Sequence, residues 1–284
     1  MKERNRLHHG ILACLLVALL APAAPAWAAG GANTDGHPVQ LEAPATPASP
    51  SLTGTQVSIL YAPSEDDDTT LRTNISTITG AAADYWDTSN STPTLADLQS
   101  YGCVFTWANR SYADNVAMGD VLADYVDAGG VVVLGAFVTY TNGNSLSGRI
   151  MTPAYAPVVS PTGTNLFTTI SYNGDGATLI WDQVTTYSTG YPDDVVLQGS
   201  GVADGTLGTD VIGAAYRPDF RVVFLNGAGD GFISTGDTAQ LIANACSVGQ
   251  AAAASAIPAL GGSGMLLLIA GLALVAVFLL RWRI

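Results

Sequence analysis

Lysine and histidine are almost missing from this sequence. Of 284 residues one is lysine, Lys2, and the three histidines are His8, His9 and His37. From residue 38 onward there is neither. That excludes a Ser-His-Asp triad, a Cys-His dyad and a histidine zinc site from everything that follows. Cations of any kind are scarce: ten Lys and Arg stand against 23 Asp and Glu, for a net charge of −13. Phosphate binding needs clustered cations, so nucleic acid is excluded as a partner. Cysteine is scarce too. Beyond Cys14 the chain holds only Cys103 and Cys246, which either pair in an oxidising compartment or remain two buried thiols.

The termini carry addresses. Lys2, Arg4 and Arg6 precede an apolar run over residues 11–20, and Ala26-Trp27-Ala28 fits a small-x-small cleavage site. Residues 1–28 therefore read as a secretory signal peptide, helical before cleavage. Removing both ends leaves five arginines against 22 acids, near −17, which suits a soluble extracellular protein. At the other end, residues 265–280 form 16 positions without charge or proline. As a helix this run is about 24 Å long, a short span for a hydrocarbon core of about 30 Å. Arg281 and Arg283 follow and favour the cytoplasmic side. The expected arrangement is a single transmembrane helix holding the domain outside the cytoplasm, either as a plain anchor or as a processed signal.

Between these ends, residues 29–54 are rich in Ala, Pro, Gly, Ser and Thr and read as a disordered linker. Residues 55–247 have the size of one domain, and residues 248–256 read as a spacer. The domain opens on a buried strand, residues 56–61. A helix over 68–79, a short strand over 82–86 and a short helix over 94–100 follow. The third strand is 103–107. Met118, Val121, Leu122, Tyr125 and Val126 form one apolar helical face, with Asp114 as cap and Gly129-Gly130 as stop. The strand over 131–134 is apolar on both alternations, as in a parallel sheet covered on both sides. This order predicts an α/β fold: a flavodoxin-like three-layer domain with a mostly parallel sheet. Further strands are expected over 177–181, 194–198, 211–216 and 221–225. Arg217-Pro218-Asp219-Phe220 joins the last two as a hairpin turn, and a helix over 235–246 closes the domain.

Two resemblances add to this reading. Ile257, Pro258, Leu260, Gly264 and Met265, ahead of the apolar helix and terminal arginines, resemble the IPTL-type C-terminal sorting signal of Gram-negative surface proteins. That family's pattern reads Ile-Pro-Thr-Leu-Ser-Glu-Trp-Gly; here Ala259 replaces Thr, and Gly261, Gly262 and Ser263 replace Ser-Glu-Trp. The resemblance implies an exosortase-like peptidase as partner, cleavage of residues 257–284, and transfer from the inner membrane to the cell surface. The domain, through Tyr101 to Asn109, Val121 to Gly130, the strand over 131–134 and Arg221 to Asn226, resembles the glutamine-amidotransferase-like superfamily, especially its trehalose-utilisation (ThuA-like) branch. Active members place Cys in a Gly-x-Cys-x-Gly turn after the central strand. Here the turn is Gly135-Ala136-Phe137-Val138-Thr139, and Asn226-Gly227-Ala228 lies where the later histidine is sought. The resemblance thus implies the fold without the chemistry.

The remaining candidates are loops. Open α/β sheets bind ligands at the carboxyl ends of their strands. That crevice is expected to be rimmed by Trp107, Asn109, Arg110, Tyr112, Phe137 and Tyr140, a mixed aromatic and polar set suited to a carbohydrate or a peptide. Glu65, Asp66, Asp67 and Asp68 offer oxygen ligands for Ca²⁺, or are simply a solvated loop. No cofactor is expected. The composite expectation is an exported, anchored, acidic protein whose α/β domain binds or supports rather than catalyses. The alternative is an extracellular, histidine-free hydrolase that uses two carboxylates on carbohydrate.

Overall fold

The computed structural model describes residues 57–256. The expected signal peptide (1–28), linker (29–54) and sorting segment (257–284) lie outside the described residues. Among the described residues no helix is long and apolar enough to cross a membrane.

Strand and helix alternate through the first half: β1 (Ile59–Tyr61), α1 (Thr69–Thr79), β2 (Ala83–Tyr85), α2 (Leu95–Leu98), β3 (Cys103–Thr106), α3 (Asn115–Asp127) and β4 (Val131–Leu134). Local chemistry sets the helix starts. The carboxylates of Asp68 and Asp114 accept the first free backbone N–H groups of α1 and α3, and Thr94 and Asp97 form a capping box on α2. The second half carries short strands, β5 (Val158–Val159), β6 (Ile170–Ser171), β7 (Tyr187–Thr189) and β8 (Val196–Leu197). Longer ones follow: β9 (Val202–Leu207), β10 (Val211–Tyr216) and β11 (Val222–Leu225). β12 (Ser234–Gly236) and α4 (Thr238–Ala256) complete the order.

The main sheet has seven strands in the order β2-β1-β3-β4-β11-β10-β9. The first five run parallel, and β10 and β9 add an antiparallel edge. This is the α/β architecture with a largely parallel sheet that the apolar runs predict, and its parallel part has the flavodoxin-like order. β1, β3, β4 and β11 are buried at every position, so both faces of the sheet are covered. α1 packs against α4, which crosses β3, β4 and β11, while α2 and α3 pack together. Separate three- and two-stranded sheets, β12-β7-β6 and β5-β8, form from the excursion between β4 and β9 together with β12 from the segment after β11.

Cys103 at the start of β3 and Cys246 in α4 form a disulfide, with Cα atoms 5.6 Å apart, which decides between the two readings of these residues. It pins α4 to the sheet across 143 residues of chain. Three expectations change. Residues 177–181 are not a strand: the Asp204 carboxylate accepts the N–H groups of Ala177 and Thr178. The Thr178 hydroxyl then accepts Ile180 N–H and starts a 3-10 turn, Leu179–Trp181. The strand expected over 194–198 shrinks to β8. Residues 248–256, read as a spacer, extend α4, because Ala251 to Ala254 are strong helix formers.

Loop closure of that length gives a concrete expectation. In the chain-entropy picture the disulfide contributes on the order of 5 kcal/mol. Reduction, or the double change Cys103→Ala and Cys246→Ala, should lower the urea midpoint by about 2 M. An unchanged midpoint would mean that the bridge does not constrain the chain.

Candidate functional site

The strand order reverses at β1, whose neighbours are β2 and β3, so the crevice between the β1 and β3 loops is the expected ligand seat. Backbone bonds draw these loops together: Ser64 N–H donates to Trp107 O (2.8 Å), and Asn109 and Arg110 N–H donate to Ser64 O (3.3 and 2.9 Å). The chain's own side chains pair across the crevice. The Glu65 carboxylate, nearly buried, accepts Asn109 Nδ2 at 2.6 Å and lies 2.6 Å from the Arg110 guanidinium. Arg110 also forks onto both oxygens of Asp66 (3.0 and 2.6 Å). That hydrogen bond and charge hold the Asp66 carboxyl below its ordinary range and raise the Arg110 guanidinium still further above neutrality.

The four acids of this loop go separate ways. Glu65 and Asp66 face Arg110, and Asp67 accepts two bonds from Arg72 (2.9 and 2.7 Å). Asp68 caps α1 and accepts Gly231 N–H from the β11–β12 loop at 3.1 Å. Among the described residues no group of three or more His, Cys, Asp or Glu is placed to hold a metal ion. Asp230 approaches from the same β11–β12 loop. Burial raises its carboxyl, and the charges of Asp68 and Glu65 raise it further, although Asp230 accepts the N–H groups of Phe232 and Ile233 (3.0 Å each).

Two rim residues belong to the core instead. Trp107 is fully buried and donates Nε1–H to Tyr61 OH (3.2 Å). Tyr112 is buried with its hydroxyl 3.0 Å from Thr106 Oγ1. The cause is that sheet-like pairing runs past the strand ends. Ala108 N–H donates to Ala136 O, and Ala136 N–H to Ala228 O (3.0 and 2.8 Å), so Trp107 keeps pointing inward. Asn109 and Arg110 stay at the crevice, engaged as described.

Phe137 and Tyr140 lie at a second place, the tight turn after β4. Gly135 is needed there, because a Cβ on it would stand 2.3 Å from Ala228 O. Phe137 has φ +64°, a left-handed backbone that a bulky residue adopts only under constraint. Its ring, almost fully buried, is packed by Tyr140 (5.7 Å), Phe167 (6.3 Å) and Tyr191 (5.5 Å). Beyond it Tyr191 stacks on Phe232 at 5.7 Å.

The constraint is a buried carboxylate with no distinctive signal in the sequence. Asp193, fully buried, accepts Thr139 Oγ1–H (2.8 Å) and N–H (3.4 Å) from the turn, and Asn165 Nδ2–H (2.8 Å). Its own N–H donates to Asn226 Oδ1 (2.7 Å), and Asn226 Nδ2 returns a bond to Asp193 O (3.1 Å). Asn226 directly follows β11, and Tyr187 OH donates to its carbonyl (2.8 Å). Desolvation pushes Asp193 up to about 6, against the hydrogen bonds that lower it. Beside this network lies a groove of about 350 Å³ lined by Phe167, Tyr191 and Phe232 with threonine and serine hydroxyls. A shallower depression of about 620 Å³ lies along α1 and the edge strand β2, with Arg72 as its one cation.

Solved structures resemble this one at low identity. A cytoplasmic protein from Salmonella typhimurium is 10% identical, with a TM-score of 0.51 over 66% of this chain and 97% of that one. A protein from Thermoplasma acidophilum assigned to GMP synthase is 8% identical, with a TM-score of 0.47 over 69% and 95%. A glutamine amidotransferase from Thermotoga maritima is 10% identical, with a TM-score of 0.40 over 60% and 74%. The first likeness shows the fold and nothing of the chemistry. No family model matches the chain, and no curated protein matches it.

Asp193 has a pH signature. As pH rises from about 4 the unfolded carboxyl ionises, while the folded one holds its proton until about 6. Through this group, stability is therefore greatest below pH 4 and falls until about pH 6, by on the order of 3 kcal/mol. In Asp193→Asn that fall should vanish, so the variant gains on the wild type between pH 4 and pH 7 in urea titrations. A constant difference across that range would contradict the assignment.

Proposed function

We propose that this chain is an exported, acidic surface protein whose α/β domain binds a ligand and does not turn it over. The observation that carries the reading is the turn after β4. Where active amidotransferase-like proteins present a nucleophile, this chain has Phe137, held at φ +64° and packed under three aromatic rings. Both cysteines of the domain are joined in the disulfide, and no histidine occurs in residues 57–256. A nucleophile here would have no histidine to activate it. Delivery rests on the termini: the signal-like start, and an IPTL-like end that an exosortase-like peptidase in the inner membrane would recognise and process before transfer to the surface of a Gram-negative cell.

The carboxylate hydrolase is the second reading. Asp230 favours it, being a half-buried acid with a raised affinity for its proton and Asp68 and Glu65 as neighbours. Such an environment can keep one acid protonated for general acid work while another stays ionised. The binding reading accounts for the same residues as turn and cap formers.

Release of reducing ends from soluble glucan, xylan and mannan separates the two. The wild-type rate should equal that of Asp230→Asn within error. Release that disappears in Asp230→Asn would make the domain an enzyme. For the tail, intact-mass spectrometry of protein shed from the producing cell should find the chain ending near Leu260; a full-length chain retained in the inner membrane would leave only a plain anchor.

A further inference from the structure

We propose that the groove between Phe167 and Phe232 is the ligand seat and that it takes a neutral carbohydrate chain. This rests on the binding reading above and gives it a ligand class and a place. Phe232 is 72% exposed and Phe167 58% exposed, the two most exposed large apolar side chains among the described residues. Water contact with two phenyl faces is unfavourable, and a folded protein that keeps them at the mouth of one cavity marks a contact surface.

The presentation is built. Phe167 is held at φ +48°, and its N–H is fixed by Asn165 Oδ1 at 2.9 Å. The Asn165 amide in turn donates to Tyr191 O and to the buried carboxylate of Asp193 (2.8 Å each). Phe232 N–H donates to Asp230, and its ring stacks on Tyr191, whose ring meets Phe167 edge-on at 6.1 Å. The aromatic faces are thus fixed before any ligand arrives, which lowers the entropy lost on binding.

The lining decides the ligand class. No Asp, Glu, Lys, Arg or His lines the groove, so a charged ligand meets no counter-charge. Thr168, Thr169 and Thr235 line it with hydroxyls that take part in no hydrogen bond among the described residues. Flat apolar faces beside free donor–acceptor hydroxyls match a sugar ring, which has an apolar C–H face and an equatorial belt of hydroxyls. A volume of about 350 Å³ lies at the small end of ligand sites, so an open chain would place one or two rings in it.

Native affinity electrophoresis of the full chain, kept soluble in a sugar-free detergent, tests this in gels cast with glycogen, xylan, galactomannan or alginate. At least one neutral polysaccharide should retard the wild type, and the anionic alginate should not. Phe232→Ala and Phe167→Ala should each weaken the apparent affinity by about tenfold, the worth of one stacked apolar face. Ile78→Ala, an exposed apolar change in α1, should leave it unchanged. The proposal is overturned if no neutral gel retards the protein, if only alginate does, or if both phenylalanine variants migrate like the wild type. It is also overturned if a labelled leucine- and phenylalanine-rich peptide binds through Phe232 while the polysaccharides do not. Phenylalanine-dependent retardation together with release of reducing ends would keep the groove and sink only the non-catalytic reading.

Discussion

Asp193 is the group on which the irregular half of this domain depends. Between β4 and β9 the chain wanders through short strands and turns that bury little surface of their own. The Asp193 carboxylate takes bonds from Thr139 and Asn165, and its backbone is paired in both directions with Asn226. One buried group therefore joins the turn after β4, the loop before β6 and the end of β11. Burying an ionised carboxylate costs several kcal/mol unless its hydrogen bonds are made, so any arrangement that frees one of these partners is disfavoured. The left-handed backbones of Phe137 and Phe167 persist because their neighbours Thr139 and Asn165 are held in this way.

The same economy explains where the domain is open. In sheets of this order the crevice at the reversal of strand order is usually the ligand seat. Here Glu65, Asn109, Arg110 and Asp66 are paired across it by one buried carboxylate, one amide and one forked guanidinium. The turn after β4 next to it is packed by aromatic rings. What remains exposed is the outer end of the aromatic run, Phe167 and Phe232, on loops that Asp193 and Asp230 hold rigid.

The regular half of this domain was legible in the sequence. Residues 131–134 and 222–225 are apolar runs with no other stable home than a covered parallel sheet. Asp68 and Asp114 stand one residue before their helices, where a carboxylate can take the free N–H groups of the first turn. The side-chain directions past the strand ends were not legible. Trp107 and Tyr112 follow β3 in what reads as a loop, and only the long-range pairing of Ala108 with Ala136 and of Ala136 with Ala228 turns Trp107 inward. Residues 177–181 look like a strand until Asp204, over 20 residues away, takes their N–H groups. Asp193 sits in a Pro-Asp-Asp run with the chemistry of an ordinary turn. Its role comes from Asn165 and Asn226, which no local pattern connects to it. Cys103 and Cys246 could be seen as candidates for pairing, but their 5.6 Å Cα separation is a product of the whole fold.

The central claim is that the polar groups of the strand-end crevice are engaged with one another and that the ligand face is the Phe167–Phe232 groove. An NMR titration of the full chain, with labelled phenylalanine rings and arginine side chains, addresses both halves at once. On addition of maltohexaose, cellohexaose or xylohexaose, the Phe167 and Phe232 rings should shift together and saturably with at least one of them. The buried Phe105 and Phe224 rings and the Arg110 guanidinium should stay in place. Shifts centred on Arg110 with the two phenylalanine rings unmoved would contradict the account.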